Sequence, residues 1–199
     1  MTAKNAISGL LIAGGAYLLF LGASDLFDSR AGQAEAARAF EEPVPDTPET
    51  HAATRPAGLH VVNRGDTLAK LKIPRLDAEL YVVEGDGHKE LRRGPGHLAG
   101  TAMPGENGNC VIAGHRDTHF RVLKDIRAGD DIILQTAAGQ FLYRVKRTRI
   151  VSPENTSALA PTSTAELNLI TCYPFYYVGS APKRFIVEAQ LAGSVQRTS

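Results

Sequence analysis

"LNLITCYPFYYVGSAPKRFIV", residues Leu167 to Val187, holds two β-type runs separated by a turn. The first is apolar and ends in Thr171-Cys172-Tyr173-Pro174. The second opens on Lys183-Arg184. The chain has only two cysteines, and one of them sits where a strand stops. Twelve residues later an arginine stands where the next strand starts. Strand ends crowd together at the rim of a closed sheet, so a thiol and a guanidinium in these places are candidates for one site.

Working outward, the same pattern of short runs recurs. "LAKLKIPRL", "AELYVVEG", "NCVIAGH", "DIILQT", "FLYRVKRTRIV", "LNLITCY" and "KRFIVEAQL" each fit a strand, and "HLAGTA" fits a weaker one. Turn residues such as Gly129-Asp130 and Ala138-Gly139 divide them. Only brief helices fit, near "FRVLKDI" and "SPENTSAL". Many short strands at this spacing predict an all-β fold, a closed or nearly closed barrel over about residues 68–193.

The N-terminal third differs. "NAISGLLIAGGAYLLFLGAS", Asn5 to Ser24, carries no charge. Twenty helical residues rise about 30 Å, enough to cross a bilayer core. The run is long for a cleaved signal peptide, and Leu21-Gly22-Ala23 is a poor cleavage site. Residues 1–24 therefore read as a transmembrane helix that anchors the chain. Lys4 on one side, with Asp25 and Asp28 on the other, places the N-terminus in the cytoplasm and the remainder outside. Residues 25–67 read as a helical and Pro-rich linker. "SRAGQAEAARAFEE" predicts a short solvated helix capped by Asp28. "PVPDTPETHAATRPAG" predicts an extended spacer. Residues 194–199 read as a polar tail.

Composition excludes some functions. The net charge is +1, from 22 basic and 21 acidic side chains, and Trp is absent. No Lys/Arg cluster and no aromatic platform suit a nucleic acid, so none is expected as a partner. Hydrophobic residues make up 43% of the chain, enough for a packed core.

Three side chains in the β-rich part carry the chemistry. A cysteine nucleophile reacts as the thiolate, and its free pKa is about 8.5, so a neighbouring cation assists it. His115, ending "CVIAGH", supplies an imidazole. Arg184 supplies a guanidinium that binds a carbonyl oxygen as it gains charge. Together they suit acyl transfer. Singly, each has a plain structural role: a small buried thiol, a surface histidine, a solvated arginine. Cys110, His115 and His119 also show a C-x4-H-x3-H spacing. Five steps along a strand put Cys110 and His115 on opposite faces, which argues against a zinc site.

"LITCYP" followed by "APKRFIV" resembles the T-L-x-T-C signature and downstream arginine of the sortases. "NCVIAGHRDTHF" resembles their histidine strand. "GPGHLAGTAMPGENGN" and "KIPRLDAELYVVEG" are also similar to sortase sequence. The resemblance spans about Leu68 to Leu191 and is strongest to classes D and E. It implies an eight-stranded sortase barrel and a membrane-bound cysteine transpeptidase. Such an enzyme takes sorting-signal-bearing proteins of LPxTG type and an amine acceptor such as a cell-wall precursor. By motif, the resemblance makes Cys172, His115 and Arg184 catalytic, with Thr171, Ala113 and Ile170 lining the substrate site. It further implies that thiolate and imidazolium work together. Fifteen or so residues between "RIV" and "LNLITC" leave no room for the helix inserted in class B. Glu41–Gly58 lacks the Asp-Pro-aromatic lid of class C, and "LAGSVQRTS" is too polar for a second span. Anchoring of single proteins is therefore favoured over pilus assembly.

Alternatives stay open on residues alone. A cysteine peptidase or amidase uses the same thiol with water, and an idle membrane-tethered barrel needs none of the three. No metal or other cofactor is expected. Some sortases bind calcium, but Asp86, Glu90, Asp117, Asp130 and Asp131 are scattered. Cys110 reads as a small buried hydrophobe. A redox pairing with Cys172 requires their strands to be neighbours.

Overall fold

The computed structural model describes residues 3–41, 62–177 and 179–196. The spacer read at Pro43–Gly58 lies outside the described residues, as do the last three residues of the tail. Eight strands close into a barrel: β1 (Thr67–Ile73), β2 (Ala78–Glu84), β3 (Gly96–His97), β4 (Gly108–Gly114), β5 (Asp131–Gln135), β6 (Gly139–Val151), β7 (Ala165–Tyr173) and β8 (Lys183–Gln196). Their order around the barrel is β1-β2-β3-β4-β7-β8-β6-β5, closed by β5 against β1. β2–β3 and β4–β7 run parallel, and the remaining pairs are antiparallel. The expected all-β barrel and its strands are present. The expected strand at "HLAGTA" shrinks to Gly96–His97, because the chain turns at Thr101.

Alternation explains the inside and the outside. On β7, Leu167 and Leu169 are fully buried in the core, and on β8 Val187 and Ala189 join them. Cys110 and Ile112 do the same for β4. The residues between them therefore face outward. β7 stops at Tyr173 because Pro174 has no amide hydrogen to donate to the ladder. Tyr173, Phe175 and Phe185 then pack ring against ring at that end of the barrel. β8 continues to Gln196, into the segment read as a polar tail, because it stays paired with β6 as far as Gly139.

Two helices flank the barrel, α1 (Ala3–Glu41) and α2 (His88–Arg93). α2 has no counterpart in the sequence expectations, since "HKELRR" shows no apolar stripe. α1 corrects the reading of its second half. Asp28 does not cap a new helix, because no Gly or Pro breaks the chain there and α1 runs straight through. Nor is that half solvated. Ser29, Gly32, Gln33, Ala36 and Phe40 recur at helical spacing and pack on the barrel, with Ala36 fully buried. Small side chains allow the approach: a Cβ on Gly32 would sit 2.6 Å from the Cα of Arg93. Gln33 then behaves as a piece of strand. Its amide accepts from the N–H of Tyr81 (2.8 Å) and donates to the carbonyls of Tyr81 (3.0 Å) and Arg93 (2.9 Å). These bonds satisfy backbone groups on the β2 edge that β3 is too short to reach. Asp28 pairs with Arg92, and Glu35 with Arg93. Among the described residues no helix is long and apolar enough to cross a membrane.

Candidate active site

The registers of β4, β7 and β8 set the site. Cys172 stands directly across from Arg184 on β8. Gly114 of β4 stands beside Thr171, so His115, the next residue, comes level with Cys172. Neighbouring strands lie about 4.8 Å apart, which brings the three backbones to one rim of the barrel. All three have outward parity, so their side chains share a face. Each is half-buried.

Two further rows lie on the same face. Ala113, Ile170 and Ile186 stand abreast, one pleat below the reactive row. Val111, Asn168 and Glu188 stand abreast below them. Successive rows are about 6.6 Å apart, two residues of strand. The outward face therefore grades from reactive to apolar to polar. Ile186 and Val111 are 1% exposed although they face out, so something covers them. The β6–β7 loop around Ser157–Ala160 packs on this face at β4, beside Val111. Asn109 Nδ2 donates to the carbonyls of Ala158 (2.7 Å) and Ala160 (3.0 Å), and Asn168 Nδ2 donates to Asn109 Oδ1 (2.7 Å). From the outside, Arg149 links Glu188 to Ser157. Above that loop, half-buried Ala113 and Ile170 lead up the outer face to Cys172.

Thr171 takes a different place from Ala113 and Ile170. Its parity is inward, it is 2% exposed, and its hydroxyl donates to the carbonyl of Gly114 at 2.7 Å. It ties the ends of β4 and β7 together directly beneath His115 and Cys172. Arg184 donates from Nη1 to the carbonyls of Ala181 (3.2 Å) and Lys183 (3.1 Å). Its Nε and Nη2 bond to nothing among the described residues, so they remain available as donors beside Cys172. Glu154 sits in the β6–β7 loop near it. Its carboxyl is held below the usual range chiefly by its own backbone N–H, then by the Ser152 hydroxyl, with a smaller pull from Arg184.

The loop after His115 carries residues that sequence reasoning passed over. Arg116 donates from Nη2 to the carbonyls of Tyr177 (2.8 Å) and Gly179 (3.0 Å) and lies over the Tyr177 ring. Arg121 lies over Tyr176. The histidine loop thus grips the turn between β7 and β8. The pairing of "HRDTHFR" with "FYYVG" across the site was the available signal, but it lies in loops, where no periodicity announces contact.

Cys110 is far from this rim. It pairs with Leu167, five residues from Cys172, and belongs to the core. Five residues of strand span about 16 Å, whereas a disulfide needs Cα atoms within about 7 Å. The redox pairing considered from sequence is therefore excluded by register. Burial pushes the Cys110 thiol up to about 12. Native protein is expected to bind one equivalent of iodoacetamide, at Cys172, and denatured protein two, read by intact mass. Labelling of Cys110 in the native protein would contradict the packing. The C-x4-H-x3-H residues do not converge either, since Cys110 faces in and His115 faces out. The scattered acids are engaged elsewhere, Glu90 with Arg64, Asp130 with Arg75 and Asp131 with Arg144. Among the described residues no three His, Cys, Asp or Glu side chains cluster as metal ligands do.

The barrel that carries this row is similar to known proteins along most of its length. Residues 71–192 match the family model described as the sortase domain. Sortase D of Bacillus subtilis is 43% identical over 124 residues, covering 62% of this chain and 63% of that protein. Sortase SrtE1 of Streptomyces coelicolor is 36% identical over 129 residues, covering 55% and 37%. The chain thus spans less than two thirds of the length of these curated relatives. Among solved structures, the sortase D5 transpeptidase of Clostridium perfringens superposes with a TM-score of 0.66 at 27% identity, over 83% of this chain and 99% of that one. The chain belongs to the sortase family.

Proposed function

We propose that the protein is a membrane-anchored sortase that cleaves an LPxTG-like sorting signal and passes the acyl group to an amine in the cell envelope. The observation that carries this reading is the row of His115, Cys172 and Arg184 at the barrel rim, beside the apolar face of Ala113 and Ile170. An extended peptide laid along that face presents a small apolar segment to Ala113 and Ile170 while its next carbonyl reaches Cys172.

The Cys172 sulfur attacks that carbonyl carbon. Arg184 donates to the oxygen as it becomes an oxyanion. The C–N bond breaks, and the leaving amine takes its proton from imidazolium His115. A thioacyl intermediate remains. An incoming amine gives a proton to His115 and attacks, a new C–N bond forms, and the C–S bond breaks to restore the thiolate. The exchange is redox-neutral, and every proton and electron pair comes from substrate, Cys172 or His115, so the scheme has no place for a cofactor. Thiolate and imidazolium must coexist, which keeps turnover modest.

The anchor is the first half of α1. Leu10, Leu11, Ile12, Tyr17, Leu18, Leu19 and Phe20 are 63% to 78% exposed and, being nearly consecutive, point to all sides of the helix. A helix that is apolar all round suits lipid. Lys4 before it and Asp25 and Asp28 after it put the barrel outside the membrane. The partners are single proteins carrying a sorting signal, and no nucleic acid.

The test uses the full chain in detergent micelles with LPxTG- and LAxTG-type peptides, with and without triglycine. Mass spectrometry is expected to show peptide joined to triglycine. Cleaved peptide alone, whatever the amine concentration, would make the protein a hydrolase. No reaction and no alkylation of Cys172 would leave a binding barrel.

A further inference from the structure

Four residues past His115, His119 turns toward α1. Its imidazole is 6% exposed, wedged between α1 and α2. Ser29 Oγ of α1 lies 3.2 Å from its Nε2. The backbone of Arg92 on α2 lies close enough to favour the protonated ring, a smaller influence than burial. Burial is the largest influence on this imidazole and holds it below the usual histidine range, so it is neutral near pH 7. A serine hydroxyl both donates and accepts, so the bond suits a neutral ring.

The loop between His115 and His119 has little freedom of its own. The N–H of Phe120 donates to the carbonyl of His115 at 2.9 Å, closing it into a ring. Phe120 is fully buried in the core, and Gly114 leaves it room: a Cβ there would meet the Phe120 ring at 2.6 Å. Those contacts fix the loop inward. His119 fixes it sideways, and what it holds is α1. The helix is itself seated on the barrel by Gln33, Gly32 and Ala36, so Ser29 is a firm anchor point and not a fraying end.

We propose that His119 and Ser29 are positioning residues for the transfer reaction. Their bond ties the loop carrying His115 to the stalk helix, which makes residues 29–40 part of the catalytic unit. The inference rests on His115 being the catalytic histidine. It also reaches beyond the family-matched region, since Ser29 lies well before residue 71. Neither residue touches substrate. They act by limiting how far the His115 imidazole strays from level with Cys172, and a small misplacement of a proton donor is costly to rate.

The experiment uses the full chain in detergent micelles, the peptide that wild type joins to triglycine, and rates normalised to thiol titrated by iodoacetamide. Ser29→Ala is expected to lower kcat about fivefold with KM unchanged, the effect of one lost hydrogen bond felt in the transition state. Ala is the better helix former, so a loss of α1 itself is not the cause. Ser29→Thr, which keeps the hydroxyl, is expected to restore kcat to within about twofold. Combining Ser29→Ala with His119→Ala is expected to be no worse than His119→Ala alone. Wild-type kcat in Ser29→Ala, or losses that simply multiply in the double variant, would overturn the proposal. So would a fall in melting temperature with kcat per titrated thiol intact, which is a structural role only. Ser29→Ala alone decides the matter if His119→Ala fails to fold. Full activity in His115→Ala would instead remove the underlying catalytic reading.

Discussion

Cys172→Ala is expected to give no joined product and no acyl adduct, a loss of at least about a thousandfold in turnover. The size follows from the mechanism, since without sulfur there is no thioacyl intermediate to divide the reaction into two easier steps. Cys110 cannot stand in for it. That thiol faces the core, is 1% exposed, and lies five residues along the neighbouring strand pair. The fold is expected to survive the change, because Cys172 is half-buried on the outer face and its strand keeps its pairing with Phe185 and Arg184 neighbours. Circular dichroism and the melting temperature would check that. Intact mass after incubation with the sorting peptide would look for the adduct directly. A Cys172→Ala protein that still joined peptide to triglycine would move the nucleophile elsewhere and dismantle the proposed function.

Much of this site was legible in the sequence because it sits on strands. Alternation gives the face, and strand ends give the rim. "LNLITC" and "CVIAGH" both place the reactive residue just past an inward apolar series, so Cys172, His115, Ala113 and Ile170 share a face for the same period-two reason. Thr171 shows the limit of motif reading. It stands next to the cysteine in sequence, yet the same alternation turns it inward to bond Gly114. Register was not legible, because nothing local states that Cys110 faces Leu167, and only that pairing separates the two thiols.

The helix α1 was misread for a different reason. Its polar residues, taken alone, describe a solvated helix. The stripe that docks is made of Gly32, Ala36 and Gln33, none of which has a hydrophobic signature. Their value is closeness, which lets Gln33 complete the edge of β2, and that edge is short of partners only because β3 is two residues long. The docking of α1 is therefore a consequence of tertiary topology and cannot be read from the helix itself. It also means that a fragment beginning near Gly58 exposes the β2 edge, with Tyr81 and Ala78 beside it.

Arg184→Lys is expected to be nearly as inactive as Arg184→Ala, each losing about a hundredfold to a thousandfold in kcat, the usual cost of removing a donor to an oxyanion. Charge alone would predict otherwise, since lysine keeps it. The geometry explains the difference. Arg184 already commits Nη1 to the carbonyls of Ala181 and Lys183. These bonds hold the guanidinium plane still, and the remaining donors, Nε and Nη2, are then aimed without further ordering. A lysine ammonium has one nitrogen for both tasks and a flexible stem. Bonded to the loop carbonyls, it leaves the oxyanion unserved; bonded to the oxyanion, it has no fixed position. Both variants are expected to take up one iodoacetamide, because β8 keeps its pairing with β7 and β6 and the barrel stands. KM is expected to change less than kcat, since the donor is needed most when charge develops on the oxygen. An Arg184→Lys enzyme with wild-type kcat would show that only a positive charge is required beside Cys172, and that the bonds to Ala181 and Lys183 have no part in catalysis.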